Sequence, residues 1–183
     1  MTNILEMLLS NDNGNTVKEL SKQFDLPEQQ TRTAVEELIP ALSRGMQNNT
    51  SSSPGMDELL DALRSGKHSR YMDDPTLLNK AETTKDGNDI LGHIFGNKEV
   101  SREVANQVSK KSGVSSTLLK KMLPVLATLA MGALSKGVLG GNKNARSGRA
   151  ASTGGLIGSL LDTDRDGSIW DDVLKIAAKT MLR

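Results

Sequence analysis

The chain has 183 residues and a net charge of +1, and it contains no cysteine. This length allows one or two domains with a buried core, while the lack of cysteine excludes disulfides, thiolate zinc sites and cysteine nucleophiles. Apolar residues make up 36% of the chain and aromatic residues only 2%. That composition suits packed helices better than a sheet, because strands favour aromatic and β-branched residues.

The N-terminal third predicts three helices with apolar residues at helical spacing. Thr16, followed by Glu19, has the pattern of a capping box for the second helix. The third helix begins near Pro27 and contains Pro40, which should kink it or end a straight segment. The N-terminus lacks the basic start of a secretory signal, so the expected location is the cytoplasm.

The middle of the chain predicts a linker, an irregular stretch and then a central helix. Residues 46–55 are polar and read as a linker, with Ser53 as the cap of the next helix. Residues 67–89 are expected to be irregular or only briefly helical. Residues 115–137 contain the most apolar segment, which predicts a buried central helix. Its apolar run of about 13 residues is shorter than the roughly 20 that a membrane-spanning helix needs, so no transmembrane segment is expected.

Two stretches, residues 17–42 and 104–126, share one order of features. Each predicts a short helix, a tight turn and a longer helix with an apolar residue before proline, Ile39-Pro40 and Leu123-Pro124. The two stretches align after a one-residue slip and a deletion of four residues, about one helical turn. The pattern predicts two related repeats that resemble a helix-turn-helix.

A helix-turn-helix can read DNA with its second helix, and it is also a simple way to build a small bundle. The side chains that would face DNA are polar or basic: Gln29, Gln30, Arg32 and Thr33 in the first copy, and Ser115, Ser116, Lys120 and Lys121 in the second. Glu28, Glu36 and Glu37 place negative charge on the first of these helices. Nucleic-acid binding is therefore the second choice, behind a structural repeat.

The C-terminal stretch "LLDTDRDGSIWDDVL" begins like a calcium loop, with alternate aspartates followed by Gly167 for the sharp turn. The position that usually closes such a loop holds Val173, which has no oxygen ligand. The predicted ligands for Ca²⁺ or Mg²⁺ are Asp162, Asp164, Asp166 and Ser168, with Asp171 or Asp172 completing the shell.

The same acidic stretch has a second interpretation without metal. Ser168 and Asp171 match a capping box for the last helix, and acidic residues at a helix N-terminus suit its dipole. Capping, however, needs only one carboxylate of the group. Residues 86–88 are a weaker echo of the loop, without alternate carboxylates, and predict no metal site.

Enzymatic chemistry has little support in the sequence. The segment "KHSRYMDD" groups His68 with Arg70, Tyr71 and two aspartates, but no nucleophile motif or phosphate-binding glycine loop accompanies it. We expect His68 to lie at the surface and His93 to be packed or partly buried. The prediction is a protein that is not an enzyme and has no organic cofactor.

Assembly is a further possibility, because methionine-rich and apolar helix faces need a partner. The last predicted helix carries one apolar stripe, which consists of Ile169, Trp170, Val173, Leu174 and Ala177. Docking on the chain's own body or on a neighbouring subunit would bury this stripe, and the sequence leaves both open. Partners are therefore expected to be proteins or further copies of the chain.

Three blocks resemble a known family: "DGNDILGHIFG", "LPVLATLAMGAL" and "LLDTDRDGSIWDDVL". The chain is similar to the YidB-like bacterial family known as the domain of unknown function DUF937. The resemblance implies an all-helical fold and a bacterial source, and it implies no activity.

Together these patterns predict an all-α, multihelical protein with two related helix-turn-helix-like repeats and a tethered C-terminal helix. The predicted units are an N-terminal repeat (1–49), a second helical unit (50–137), a flexible linker rich in Gly, Ser and Asn (138–156), and an aspartate-rich loop with its helix (157–183). The expected role is that of a non-enzymatic structural or interaction protein that binds a divalent cation at its C-terminal loop.

Overall fold

The computed structural model describes residues 3–10, 14–65 and 67–140, together with residues 157, 158, 160 and 161. Within these residues the chain forms eight α-helices and one 3-10 helix, Pro75–Asn79, and no strand. The α-helices are α1 (Ile4–Ser10), α2 (Asn15–Phe24), α3 (Glu28–Thr50), α4 (Ser53–Arg64), α5 (Arg70–Asp73), α6 (Ala81–Phe95), α7 (Lys98–Ser112) and α8 (Ser116–Gly140). The predicted all-α, multihelical fold is confirmed.

Helix α8 is the centre of the fold. Every residue from Met122 to Ser135 is buried, and α1, α3, α4, α5, α6 and α7 all contact this helix. By length and hydropathy alone Ser116–Val138 could cross a membrane, but 78% of its apolar window is buried inside the protein. A helix that is apolar all round needs such an enclosure, and the predicted central helix is confirmed.

Helix α3 is longer than the sequence predicts. It continues through Pro40 and ends only at Thr50, so the first half of the predicted linker 46–55 is helical and only a short turn precedes α4. Tertiary contacts explain the difference. Met46 is buried, and the side-chain amide of Asn49 donates a hydrogen bond to the carbonyl of His93 in α6.

Two predicted helix caps are wrong. Helix α2 begins after Gly14, which has a φ of 83°, and Thr16 lies inside the helix and is buried. Thr16 is thus the second helical residue, in the first turn of α2, and not its cap. Helix α4 is capped by Ser52, whose hydroxyl accepts a hydrogen bond from the backbone N–H of Gly55, and Ser53 is the first helical residue.

The stretch 67–89, predicted to be irregular or only briefly helical, contains the short α5 and the 3-10 helix, but its last nine residues belong to the longer helix α6. It runs from Ala81 through Gly87 to Phe95. Gly87 lies where α6 crosses α8, and a Cβ at this position would overlap the carbonyl oxygen of Pro124. The glycine that resembled part of a loop is therefore the contact point of two closely packed helices.

The two helix-turn-helix-like segments have similar turns. In the first, Asp25 follows α2 with a φ of 51°, and in the second Gly113 follows α7 with a φ of 71°. Leu26 and Val114, which come next, both pack on the core. Helix α3 also contacts α6, α7 and α8, so residues of both predicted units share one core. The duplication itself stays a prediction.

Candidate functional site

The residues before the aspartate-rich loop pack on the helical body. Ile157 and Leu161 are each 1% exposed and belong to the hydrophobic core. Leu160 lies against Gly137 of α8, where an added Cβ would be 2.8 Å from its Cδ1. The side-chain amide of Gln47 in α3 donates a hydrogen bond of 3.0 Å to the carbonyl oxygen of Leu161. The start of the predicted C-terminal unit is thus fixed to α3 and α8 of its own chain.

The predicted metal ligands follow this anchor directly, since Asp162 is the next residue. All of them lie outside the described residues: Asp162, Asp164, Asp166, Ser168, Asp171 and Asp172. Among the residues that the structure describes, no group of three or more His, Asp or Glu side chains could hold a metal ion. The metal site stays a prediction.

A polar cluster joins α5 to α6. The guanidinium of Arg70 donates hydrogen bonds to Glu82 (2.8 Å) and to the hydroxyl of Tyr71 (2.9 Å), and its carbon lies 4.9 Å from the centre of the Tyr71 ring. The Tyr71 hydroxyl donates in turn to Asp86 at 2.6 Å. The sequence grouped Arg70 with Tyr71 but missed both carboxylates. Their spacing of four residues would have placed them on one helix face had α6 been predicted there.

Electrostatics in this cluster favour a structural role. Burial and the hydrogen bond to Asp86 raise the pKa of Tyr71, so the phenol stays protonated and its O–H stays a donor. The hydrogen bond to Glu82 raises the pKa of Arg70, which keeps its charge. A nucleophile or general base needs a pKa brought toward neutrality, and neither shift has that direction.

The aspartates next to the cluster have separate structural contacts. Asp73 forms an ion pair of 2.5 Å with Lys136 of α8. Asp74 caps the 3-10 helix by accepting a hydrogen bond of 3.0 Å from the backbone N–H of Thr76, and hydrogen bonds from Thr76 lower its pKa. Through these contacts the "KHSRYMDD" segment is held against α8 and begins the 3-10 helix.

The two histidines have the opposite environments to those predicted. His68 is half-buried, its Nδ1 is buried without a hydrogen-bond partner among the described residues, and burial lowers its pKa. His93 is exposed, with Nδ1 3.3 Å from a carboxylate oxygen of Glu58. His68 is half-buried because α8 packs against it: Gly132 of α8 lies so close to the His68 backbone that a Cβ would be 2.6 Å from its carbonyl oxygen.

An apolar groove of about 100 Å³ opens between α3, α4, α6 and α8. Its walls are mainly apolar and include Met46, Leu59, Ala62, Ile90, Ile94 and Met131. Four polar residues, Asn49, Thr50, Glu58 and His93, also line it. Such a groove offers apolar contact to one side chain and hydrogen-bond acceptors at its edge.

A second, wider groove of about 520 Å³ lies beside the start of α7 and is lined by Lys98, Arg102 and Lys120. Residues 104–126, the second repeat, include four basic and no acidic residues, whereas residues 17–42, the first, include three basic and five acidic residues. The exposed members of the predicted DNA-facing set are Gln29, Gln30, Ser115, Lys120 and Lys121. Positive charge therefore favours the second repeat as the surface for an anionic partner.

Comparison with known proteins gives one match. A family model described as "Bacterial protein of unknown function (DUF937)" matches residues 6–137. No curated protein and no solved structure matches the chain. The matched segment extends from α1 into the last turns of α8.

Proposed function

We propose that this chain, which belongs to the bacterial DUF937 family of proteins of unknown function, is a non-enzymatic interaction protein whose C-terminal aspartate-rich loop binds a divalent cation. The observation that carries the proposal is the anchor before the loop. Ile157 and Leu161 are buried, and Gln47 bonds the carbonyl of Leu161. A partner would be a protein or another copy of the chain.

The anchor matters because a cation must offset the loss of backbone freedom in its loop. Ordering one residue costs about 1–2 kcal/mol. Leu161 is fixed on the body, so the first predicted ligand, Asp162, starts from a defined position.

The ligand types indicate a hard cation. Carboxylate and backbone carbonyl oxygens are the groups that Ca²⁺ and Mg²⁺ prefer. The missing carboxylate at Val173 predicts modest affinity. A cytoplasmic location, which is part of the proposal, makes Mg²⁺ the practical ion.

Cation binding should be lost in Asp164→Asn, because the substitution removes one of the negatively charged ligands that attract the cation. The remaining carboxylates carry less negative charge for a cation to neutralise. We expect CaCl₂ or MgCl₂ at about 100 times the dissociation constant to stabilise the wild-type chain by about 2.7 kcal/mol. The same titration should leave Asp164→Asn unchanged. The measurement is thermal unfolding with added cation or chelator, together with titration calorimetry.

Asp89→Asn is the matched control, since Asp89 is an exposed aspartate of α6. This variant should respond to the cation like the wild-type chain. Equal responses of all three proteins, or no response in any of them, would remove the cation from the proposal and leave an interaction protein.

The second candidate function is binding of nucleic acid through the second repeat. The observation that favours it is the groove lined by Lys120 of this repeat and by Lys98 and Arg102, which come just before it. Each phosphate contact that is formed should contribute about −0.9 to the slope of log affinity against log salt on duplex DNA.

The charge reversal Lys120→Glu should therefore weaken a gel shift on an arbitrary duplex and reduce its salt dependence. Lys18→Glu is the control, because Lys18 is an exposed residue of α2 in the first repeat. No shift by the wild-type chain at low salt, or equal loss in both variants, would count against this function.

A further inference from the structure

We propose that the wider groove beside the start of α7 binds a small organic phosphate, with the phosphate group at its basic side chains and the organic part inside the groove. The size of the groove, the charges that line it and the open space at its glycines carry this inference. It goes beyond the proposed function, because none of the predicted cation ligands lines this groove and because a small molecule, unlike a duplex, enters it.

The groove has the size of a ligand site. Its volume is about 520 Å³, and pockets for small molecules and cofactors have volumes of about 300–1,000 Å³. Residues of α6, α7 and α8 form its walls. Leu91 of α6 and Leu123 of α8 line it and also belong to the hydrophobic core. Core packing therefore fixes these two walls, and the groove exists without a ligand.

Among the described residues, every ionisable side chain that lines the groove is a cation: Lys98, Arg102 and Lys120. Arg102 forms an ion pair of 2.7 Å with Glu99, which is not part of the lining. Lys98 and Lys120 form no ion pair and no side-chain hydrogen bond with the part of the chain that the structure describes. Two ammonium groups are therefore available to an anion, and phosphate oxygens accept charge-assisted hydrogen bonds from such groups.

The N-terminal end of α7 adds to this positive charge. Asn97 and Lys98, where the helix begins, line the groove, and the Asn97 side-chain oxygen caps the helix by accepting a hydrogen bond of 3.0 Å from the backbone N–H of Val100. The helix dipole stabilises an anion at this end. Ser101 also lines the groove, and its hydroxyl is a further donor. Several donors favour phosphate, which has three strong acceptor oxygens, over a carboxylate, which has two.

Gly92 leaves the groove open on the side of α6. It lines the groove, it is exposed, and an added Cβ would meet nothing within 4 Å. Glycine inside a helix is less favourable than alanine, and here, in contrast to Gly87, no neighbouring helix requires it. The space beside Gly92 is where the organic part of a ligand fits.

Titration with phenyl phosphate tests the inference, because this probe combines a phosphate group with an apolar ring. At constant ionic strength it should bind the wild-type chain saturably, move the amide resonances of Gly92, Gly96 and Asn97, and bind more tightly than inorganic phosphate, while phenol should not bind. No saturable binding would overturn the inference. Equal affinities for phenyl phosphate and phenol, or for phenyl phosphate and inorganic phosphate, would also overturn it.

Two variants test the charge and the space separately. Lys120→Met keeps the length of the side chain and removes its charge, so it should weaken phenyl phosphate binding about tenfold or more, as expected for the loss of a hydrogen bond to a charged group. Gly92→Leu fills the groove and should abolish binding without lowering the midpoint of urea denaturation. The matched controls are Lys85→Met and Ala81→Leu, at exposed residues of α6 outside the groove, and both should bind like the wild type.

Gly92→Leu also separates this inference from binding of a duplex. The variant keeps all three basic side chains of the groove, so it should leave a gel shift on duplex DNA unchanged, whereas Lys120→Met should weaken both kinds of binding. Phenyl phosphate binding without a gel shift would support the inference and remove the nucleic-acid function. Undiminished phenyl phosphate affinity in Gly92→Leu or in Lys120→Met would overturn the inference. A gel shift by a wild-type chain that does not bind phenyl phosphate would assign the basic side chains to nucleic acid and would overturn it too.

Discussion

Replacing Gly87 by alanine should destabilise the fold by about 2 kcal/mol. The new Cβ would overlap the Pro124 carbonyl oxygen where α6 crosses α8, and this neighbour is backbone, which cannot rotate away. Overpacking costs about 1–3 kcal/mol, and the contact places Gly87→Ala at the upper end of this range. Better helix propensity returns about 1 kcal/mol. Urea denaturation measures the change as a lower midpoint at constant slope.

Gly92→Ala is the control in the same helix. Gly92 is exposed, and nothing lies within 4 Å of an added Cβ, so only the helix propensity changes. This variant should be about 0.5–1 kcal/mol more stable than the wild-type chain. If both alanine variants were more stable than the wild-type chain, the inference that α6 and α8 pack too closely at Gly87 to admit a Cβ would be wrong.

The contrast between α8 and α6 shows what the sequence could predict. From Met122 to Leu134 the central helix is nearly all apolar, and local pattern alone indicates its burial. Gly87, in contrast, stands among polar residues as it would in a loop. Its role depends on the position of Pro124, which is 37 residues away in the chain, so no local pattern could reveal it.

The polar residues show the same limit. Arg70 and Tyr71 are sequence neighbours and were grouped correctly, but Glu82 and Asp86, which bond them, come from the next helix. The exposure of His68 and His93 is likewise decided by packing between helices. The position of Ile157 and Leu161 could not be predicted either, because the sequence left docking of the tail on its own body and on a neighbour equally open.

Leu161→Asp should release the C-terminal segment from the body. Leu161 is 1% exposed, and burying such a side chain contributes about 1.5–3 kcal/mol. An aspartate there would be an unpaired charge in an apolar site, which costs more than the docking can offset, so the segment should undock. If the anchor supports the loop, affinity for Ca²⁺ or Mg²⁺ should fall about tenfold for each 1.4 kcal/mol of lost docking.

Gly158→Asp provides the control for this prediction. It adds the same charge to the same segment, but Gly158 is exposed and has nothing within 4 Å of an added Cβ, so docking should persist. Calorimetric titration of Ca²⁺ or Mg²⁺ into both variants measures the difference. Loss of cation affinity in Leu161→Asp alone would mean that the anchor supports the loop. Identical affinities of the two variants would show that burial of Leu161 does not support it.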